Sequence, residues 1–547
     1  MLYSFRSPAF KLFAKSTAYS VFATPQLLLL ISAYLDPVDL ADCNAVCKAW
    51  RRWFEPILWT NVCLDNGCRE TLSDELKGSL TRNLPHIRTL KSFYASLALL
   101  QVLTHGSATP CPNLKRLEFD LVHYEQLDLT LKLMPTLLNR NRQLTHLAIP
   151  FEFIGFAQED QDAVLTAISK LENLQRLKVD SLEEWEYDGS MPLLLQACLP
   201  LPKLTELFLD TNWQFNQFGD YTVDLETLIK DASKARFAHN PAATKVKSLR
   251  MPINRSGKSD PIPLLLLKSN VMDLESCQIP WFADNTDSAE IEQVVRKHCP
   301  KLKHLTCPSF KYRHEYDRSS SAFLQGCSGI KSFSSELYCD TDITSTLVSL
   351  HHNTLEVFEA KEGDYVSSND LQAVLSQCKK LKRFWVMEPY SHKSTISITF
   401  ADIAGGEWAC TGLTELGLTL NRCPKDGNPW SDDESGSDDE ESEDPVKAKA
   451  MAAEAKRVYA QIGRMEKLEV LELDIDVSRD TGAKEGDYAW DLTLYKDKGW
   501  LRQLAGLKNL KRLSLKADFW SQMRKREMKF ILENWPSLTE IHLEGAP

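Results

Sequence analysis

The 547-residue chain lacks the marks of the commonest chemical functions. None of its fourteen cysteines forms a Cys-x-x-Cys pair, so zinc-ligand spacing is absent. It has no glycine-rich phosphate loop, no His-Glu-x-x-His and no Gly-x-Ser-x-Gly. The adjacent His351 and His352 fall at a turn and are expected to be exposed rather than metal-bound. The longest apolar run, Leu27 to Ile31, is far short of the ~20 residues that cross a bilayer. No clear secretory signal occurs, which predicts reduced thiols in cytosol or nucleus. No cysteine sits in a sequence context that marks it as an acceptor in group transfer. These absences predict a non-enzymatic chain with no catalytic residue, cofactor, metal or membrane span.

Charge is unevenly spread. Ser431 to Asp444 holds nine acids and no base, and removing them takes the formal net charge from −11 to −2. A nearly balanced remainder argues against nucleic acid as a partner. Residues 421–444 are poor in apolar side chains and rich in Asp, Glu, Ser, Pro and Gly, which predicts a disordered insertion. Ser431, Ser435 and Ser437 each have an acid three residues on, a pattern that resembles casein-kinase-II-type phosphorylation sites. Residues 1–23 carry Arg6, Lys11 and Lys15 and no acid, and are expected to be a flexible leader. A mitochondrial transit peptide has a similar composition.

Between Thr24 and Val62 the spacing predicts three short helices. Thr24 can cap the first, with Pro25 at its first position. Leu27, Leu28, Ile31, Tyr34 and Leu35 recur at helical spacing. Asp36-Pro37 restarts the chain, and Leu40, Cys43, Val46, Cys47 and Trp50 make the next apolar stripe. Pro56 is expected to end the helix carrying Trp53 and Phe54. So short a segment with this many Leu and Trp residues should leave apolar surface for a partner. The blocks Tyr34-Leu35-Asp36-Pro37, Asp39-Leu40, Val46-Cys47-Lys48-Ala49-Trp50 and Leu58-Trp59 resemble the F-box, over residues 24–63. The family usually opens with Leu-Pro and a following Glu, where this chain has Ala23, Thr24 and Gln26. The resemblance implies docking on the Skp adaptor, and through it on a cullin. It places adaptor contacts among Pro25, Leu28, Ile31, Leu35, Val46, Cys47, Trp50 and Trp59, some of which must instead pack the module itself.

Beyond Val62 an apolar-x-x-apolar-x-apolar motif recurs. Eleven copies are clear, from Leu114-Leu117-Phe119 to Leu538-Ile541-Leu543, and weaker ones begin at Ile87, Val271, Ile330 and Leu355. Most copies start 25 to 32 residues apart, and helical patterns such as Ile291-Val294-Val295-His298 lie between several of them. Each unit therefore reads strand, turn, helix, and no unit can cover its own apolar face. The pattern over residues 80–547 resembles the leucine-rich repeats with long units. The expected fold is α/β: a helical F-box, then a solenoid with a curved parallel sheet inside and helices outside. A long step between copies predicts a helix over 445–465, and others predict larger insertions over 213–242 and 478–498.

The positions between the apolar ones stand on the open face of each strand. Arg116, Glu118, Arg176, Phe208, Arg383, Trp385 and Met387 are the candidate target contacts. Their mixed charge and aromatics suit a protein ligand, and Trp385 between Arg383 and Met387 is the preferred hot spot. These features predict a substrate-recognition subunit of a Skp–cullin–F-box ubiquitin ligase, in cytoplasm or nucleus, that holds an unknown target protein. A second reading keeps the F-box-like piece only as a cap on an interaction scaffold. A third, a GTPase-activating or enzyme-inhibiting array, lacks a recognisable rim cluster.

Overall fold

The computed structural model describes residues 24–64, 72–105, 111–122, 127–150, 158–185, 190–213, 225–238, 243–251, 253–254, 262–269, 271–279, 282, 286–307, 317–335, 341–360, 368–387, 400–421, 445–476, 494, 500–516 and 525–544. The leader, residues 422–444 with Ser431, Ser435 and Ser437, and nearly all of 478–498 fall outside these ranges.

Among the described residues three helices come first: α1 (Pro25–Ser32), α2 (Pro37–Val46) and α3 (Lys48–Leu58). Pro25 and Pro37 each sit at a first helical position, where a missing N–H costs nothing. The Asp36 carboxylate accepts the N–H groups of Val38 and Asp39 at 2.8 Å and so caps α2. Pro56 lies inside α3 rather than ending it. The helix closes two residues later, so only one ladder bond is lost.

Among the described residues seventeen strands follow: β1 (Asn61–Leu64), β2 (Thr89–Ala95), β3 (Arg116–Val122), β4 (His146–Pro150), β5 (Arg176–Trp185), β6 (Glu206–Trp213), β7 (Val246–Arg250), β8 (Ile253–Asn254), β9 (Met272–Gln278), β10 (His304–Cys307), β11 (Ser332–Ser335), β12 (Val357–Ala360), β13 (Arg383–Val386), β14 (Glu415–Asn421), β15 (Val470–Asp476), β16 (Arg512–Lys516) and β17 (Glu540–Glu544). Every copy of the motif forms a strand, the weaker ones included. The chain divides into two compact units, Met1–Val246 and Lys247–Pro547.

In the first unit β1 to β6 pair in chain order, all parallel and mostly in equivalent register. The parallel sheet begins at Asn61, well before the expected residue 80, because β1 pairs with β2. Asn61 lies opposite Thr89, so Trp59, Val62 and Leu64 take the places of Ile87, Leu90 and Ser92. They are a further copy of the motif, joined to the helical module. In the second unit β9 to β17 pair the same way.

Within each unit, helices link successive strands and pack on the helices before and after them. Helices over Leu225–Ala238 and Pro445–Gly463 fill two of the long steps. The apolar strand positions are sealed: Leu90, Leu117, Leu147, Leu177 and Leu207 are at most 1% exposed. Burial of each such side chain contributes ~2 kcal/mol, which neighbouring repeats supply and one repeat alone cannot. In the second unit the same position carries Phe333, Phe358 and Phe384, whose rings stack at 5.9 and 5.6 Å.

Two backbone devices recur. Just before most motifs a residue such as Cys111, Cys299, Cys378 or Cys410 turns the chain, its carbonyl accepting the N–H three residues on. Then the carbonyl ahead of a strand accepts two N–H groups from the next repeat, as Lys382 does from Thr414 and Glu415. A threonine there adds a side-chain bond: Thr145, Thr205, Thr414 and Thr539 donate to Lys115, Gln175, Lys382 and Lys511 at 2.9–3.1 Å.

Candidate functional site

The helical module turns part of its apolar surface inward and the rest outward. Leu28, Leu40 and Phe54 form its core, with Leu35, Cys43, Trp50, Ile57 and Leu58 packed around them. Trp50 meets Phe54 edge to face at 5.6 Å. Leu27, Leu30, Tyr34, Val38, Val46 and Trp53 point outward, with exposures from 36% at Leu27 to 88% at Tyr34. These six belong to a set of only nine exposed large hydrophobic side chains among the described residues. So strong a concentration of apolar side chains in one short segment is unusual for a surface left in water.

The expected adaptor contacts divide accordingly. Val46 and Cys47 are exposed, Ile31 is half-buried, and Pro25 opens α1. Cys47 also caps α3, its sulfur accepting the Trp50 N–H at 3.5 Å. Leu28 is 1% exposed and lies in the core, so it is one of the expected contacts that packs the module itself. Leu35 and Trp50 brace that core from its rim. Trp59 stands in the first apolar position of a repeat and is half-buried there. Helical spacing grouped Leu27 and Tyr34 with Leu28 on one face. In the structure α1 buries Leu28 against Phe54 of α3, and the other two are exposed.

The open face of the first unit carries a charged row. Cross-strand register lines up Arg116, His146, Arg176 and Glu206 on β3 to β6. Arg116 pairs with Glu118 at 2.6 Å, and Arg176 pairs with Glu206 at 3.4 Å while lying 4.6 Å over the Phe208 ring. His146 sits between the two arginines. Thr145 spends its single hydroxyl proton on the Lys115 carbonyl, so His146 Nδ1–H donates to the Thr145 oxygen at 2.9 Å. That leaves Nε2 as an acceptor. Burial, then the charges of Arg116 and Arg176, hold the imidazole below its usual pKa.

The second unit carries the other candidate contacts. Arg383 lies 4.8 Å over the Trp385 ring and is held by Glu359 at 2.5 Å and by Glu415. Trp385 lies opposite Gly417 on β14. A Cβ on Gly417 would come within 2.6 Å of the indole and 2.9 Å of the Met387 sulfur, so only glycine lets both lie there. Met387 is 5% exposed, which corrects its expected place on the open face. The strand has ended at Val386, and the strict alternation of faces ends with it. Reading the sequence overlooked Glu359, Glu415 and Gly417. They become visible once the weak copy at Leu355 is aligned with those at Leu381 and Leu413.

The buried thiols of the repeats are held protonated. Burial pushes Cys111 up to about 11 and Cys198, Cys299, Cys378 and Cys410 to about 12, so none is a thiolate at neutral pH. His351 is 2% exposed, a correction to its expected exposure, with its Nε2 3.2 Å from the Leu324 carbonyl. Among the described residues no group of three or more His, Cys, Asp or Glu could hold a metal ion. No helix among them is long and apolar enough to cross a membrane.

Residues 25–65 match the F-box-like family, over the three helices and β1. No curated protein matches the chain.

Proposed function

We propose that this chain is the substrate-recognition subunit of a Skp–cullin–F-box ubiquitin ligase. The F-box-like domain docks on the Skp adaptor, and the sheet faces of the repeats hold the target protein. The observation that carries this reading is the outward apolar set Leu27, Leu30, Tyr34, Val38, Val46 and Trp53 on that domain. Leaving such surface in water is unfavourable by ~25 cal/mol per Å², and adaptor docking would recover it. The chain performs no chemistry on this reading. It brings a target to a ubiquitin-loaded enzyme and raises its effective concentration there.

Adaptor pull-down with purified proteins tests this. Leu30→Glu combined with Val46→Glu changes only exposed side chains, so the fold should persist while adaptor affinity falls at least about tenfold, or ~1.4 kcal/mol. Undiminished adaptor binding by a folded double variant would overturn the assignment. The competing role as a cap is favoured by one feature: α3 runs through Trp59 and Thr60 directly into β1, the first strand. A cap needs no adaptor, so absence of binding by the unmodified chain decides for it.

A further inference from the structure

We propose that the outer edge of β17 joins the same edge of a second copy of this chain, the two strands running antiparallel about a two-fold axis at Ile541. This inference goes beyond the proposed function and does not rest on it.

The repeat that carries β17 is folded on the one before it but is not sealed. Its Ile531 and Trp535 are 1% exposed, and the Trp535 indole N–H donates to the Leu504 carbonyl at 3.0 Å. Other apolar positions of the same repeat lie open. Leu138, Leu324 and Leu375 each stand on a helix six residues before a motif and are 0% exposed. The same place on the helix Lys525–Asn534 is held by Leu532, which is 69% exposed. In the motif itself Leu381 and Phe384 are 0% exposed, whereas their counterparts Leu538 and Ile541 are half-buried. The cover that a following repeat gives elsewhere is what these three side chains want.

The backbone is open at the same place. β17 pairs with β16 along one edge, and among the described residues no strand lies along the other. The Glu540 N–H donates to the Lys511 carbonyl at 3.0 Å, so alternation turns the N–H and C=O groups of Ile541 and Leu543 to the outer edge. An unpaired edge of this kind is a template for another strand.

The side chains on the open face select a second copy as that strand. Glu540 and His542 are 3.4 Å apart and 57% and 59% exposed. With Ile541 opposite itself, Glu540 of each copy lies opposite His542 of the other, and an imidazole has an N–H to give a carboxylate in either protonation state. An axis at Glu540 or at His542 would instead set like residue against like. The two Ile541 residues then exchange backbone bonds, which is the direction their groups already point. Their side chains meet on the helix side of the joined sheet, where Leu532 and Leu538 need cover. A two-fold contact of this kind closes on itself, so it gives a dimer and not a fibre.

Sedimentation equilibrium of the full chain at about 1–50 μM tests the proposal. It should show monomer and dimer, with a dissociation constant on the order of 10 μM or tighter. Leu532→Glu changes an exposed side chain and should weaken the dimer about tenfold or more. His542→Glu sets acid against acid across the axis and should weaken it about fivefold or more. Glu540→Lys combined with His542→Glu faces each lysine with a glutamate and should restore the dimer to within about twofold. Thermal unfolding checks that each variant is folded. A chain that stays monomeric over the whole range would overturn the proposal. A dimer indifferent to all three variants, or one that the charge swap fails to restore, would also overturn it. None of these outcomes depends on adaptor binding, so this proposal and the ligase assignment fail separately.

Discussion

Arg236 shows how one side chain can join two repeats. It is 2% exposed. Its guanidinium reaches the carbonyls of Leu199 at 2.9 Å, Leu204 at 2.6 Å and Thr244 at 2.9 Å. It thus ties the helix Leu225–Ala238 to the turn of the repeat before it. Burial lowers its pKa to about 10, which still leaves it charged at neutral pH. Arg236→Met fills similar space but leaves three carbonyls unsatisfied, so it should destabilise the chain by about 2–4 kcal/mol. Arg236→Lys should also destabilise it, since an ammonium cannot fork to three carbonyls. Denaturant unfolding followed by circular dichroism measures both. A neutral Arg236→Met would show that the carbonyls find water instead.

At the scale of the element, the helix Thr341–His351 ends on a buried imidazole. Burial holds the His351 pKa below its ordinary 6.5, against an opposing effect of the bond to the Leu324 carbonyl. The folded state therefore favours the neutral ring, with Nε2–H donating. As pH falls below 6.5 the unfolded chain takes up a proton that the folded chain resists, so stability is full above 6.5 and declines below it. The slope from this one group is at most ~1.4 kcal/mol per pH unit. Unfolding at pH 7 and pH 5 should show a smaller acid-induced loss in His351→Gln than in the unmodified chain. An equal loss in both would place the sensitivity elsewhere, His146 and His298 being the other depressed imidazoles. The sequence did not reveal this burial, because adjacent histidines at a turn look exposed. Strands were far more legible, since a fixed apolar spacing can be satisfied only by a sealed interior. Trp59-Val62-Leu64 carried that spacing too, but its tryptophan also fitted the helical module. The faces of α1 were not legible, because in a run of apolar residues the packing of α2 and α3 decides which of them is inside.

For the whole molecule the decisive question is how the helical module is attached to the repeats. Among the described residues its buried apolar core is Leu28, Leu40 and Phe54, with five partly buried side chains packed around it. So small a core is expected to draw stability from the junction with the sheet. At that junction the Thr60 hydroxyl donates to the Pro56 carbonyl at 3.0 Å, and the Thr60 carbonyl accepts the Arg88 and Thr89 N–H groups at 2.9 and 3.0 Å. Thr60 thereby ties the end of α3 to the start of the sheet. A flexible Gly-Ser insert of about ten residues between Trp59 and Thr60 separates them without touching any exposed apolar side chain. Amide hydrogen exchange should then speed up across residues 24–58 while β2 to β6 keep their protection, and adding the Skp adaptor should restore protection to the module. A module that kept its protection after the insertion, with no adaptor present, would be a self-sufficient domain. The direct passage from α3 into β1 would then have no part in its stability.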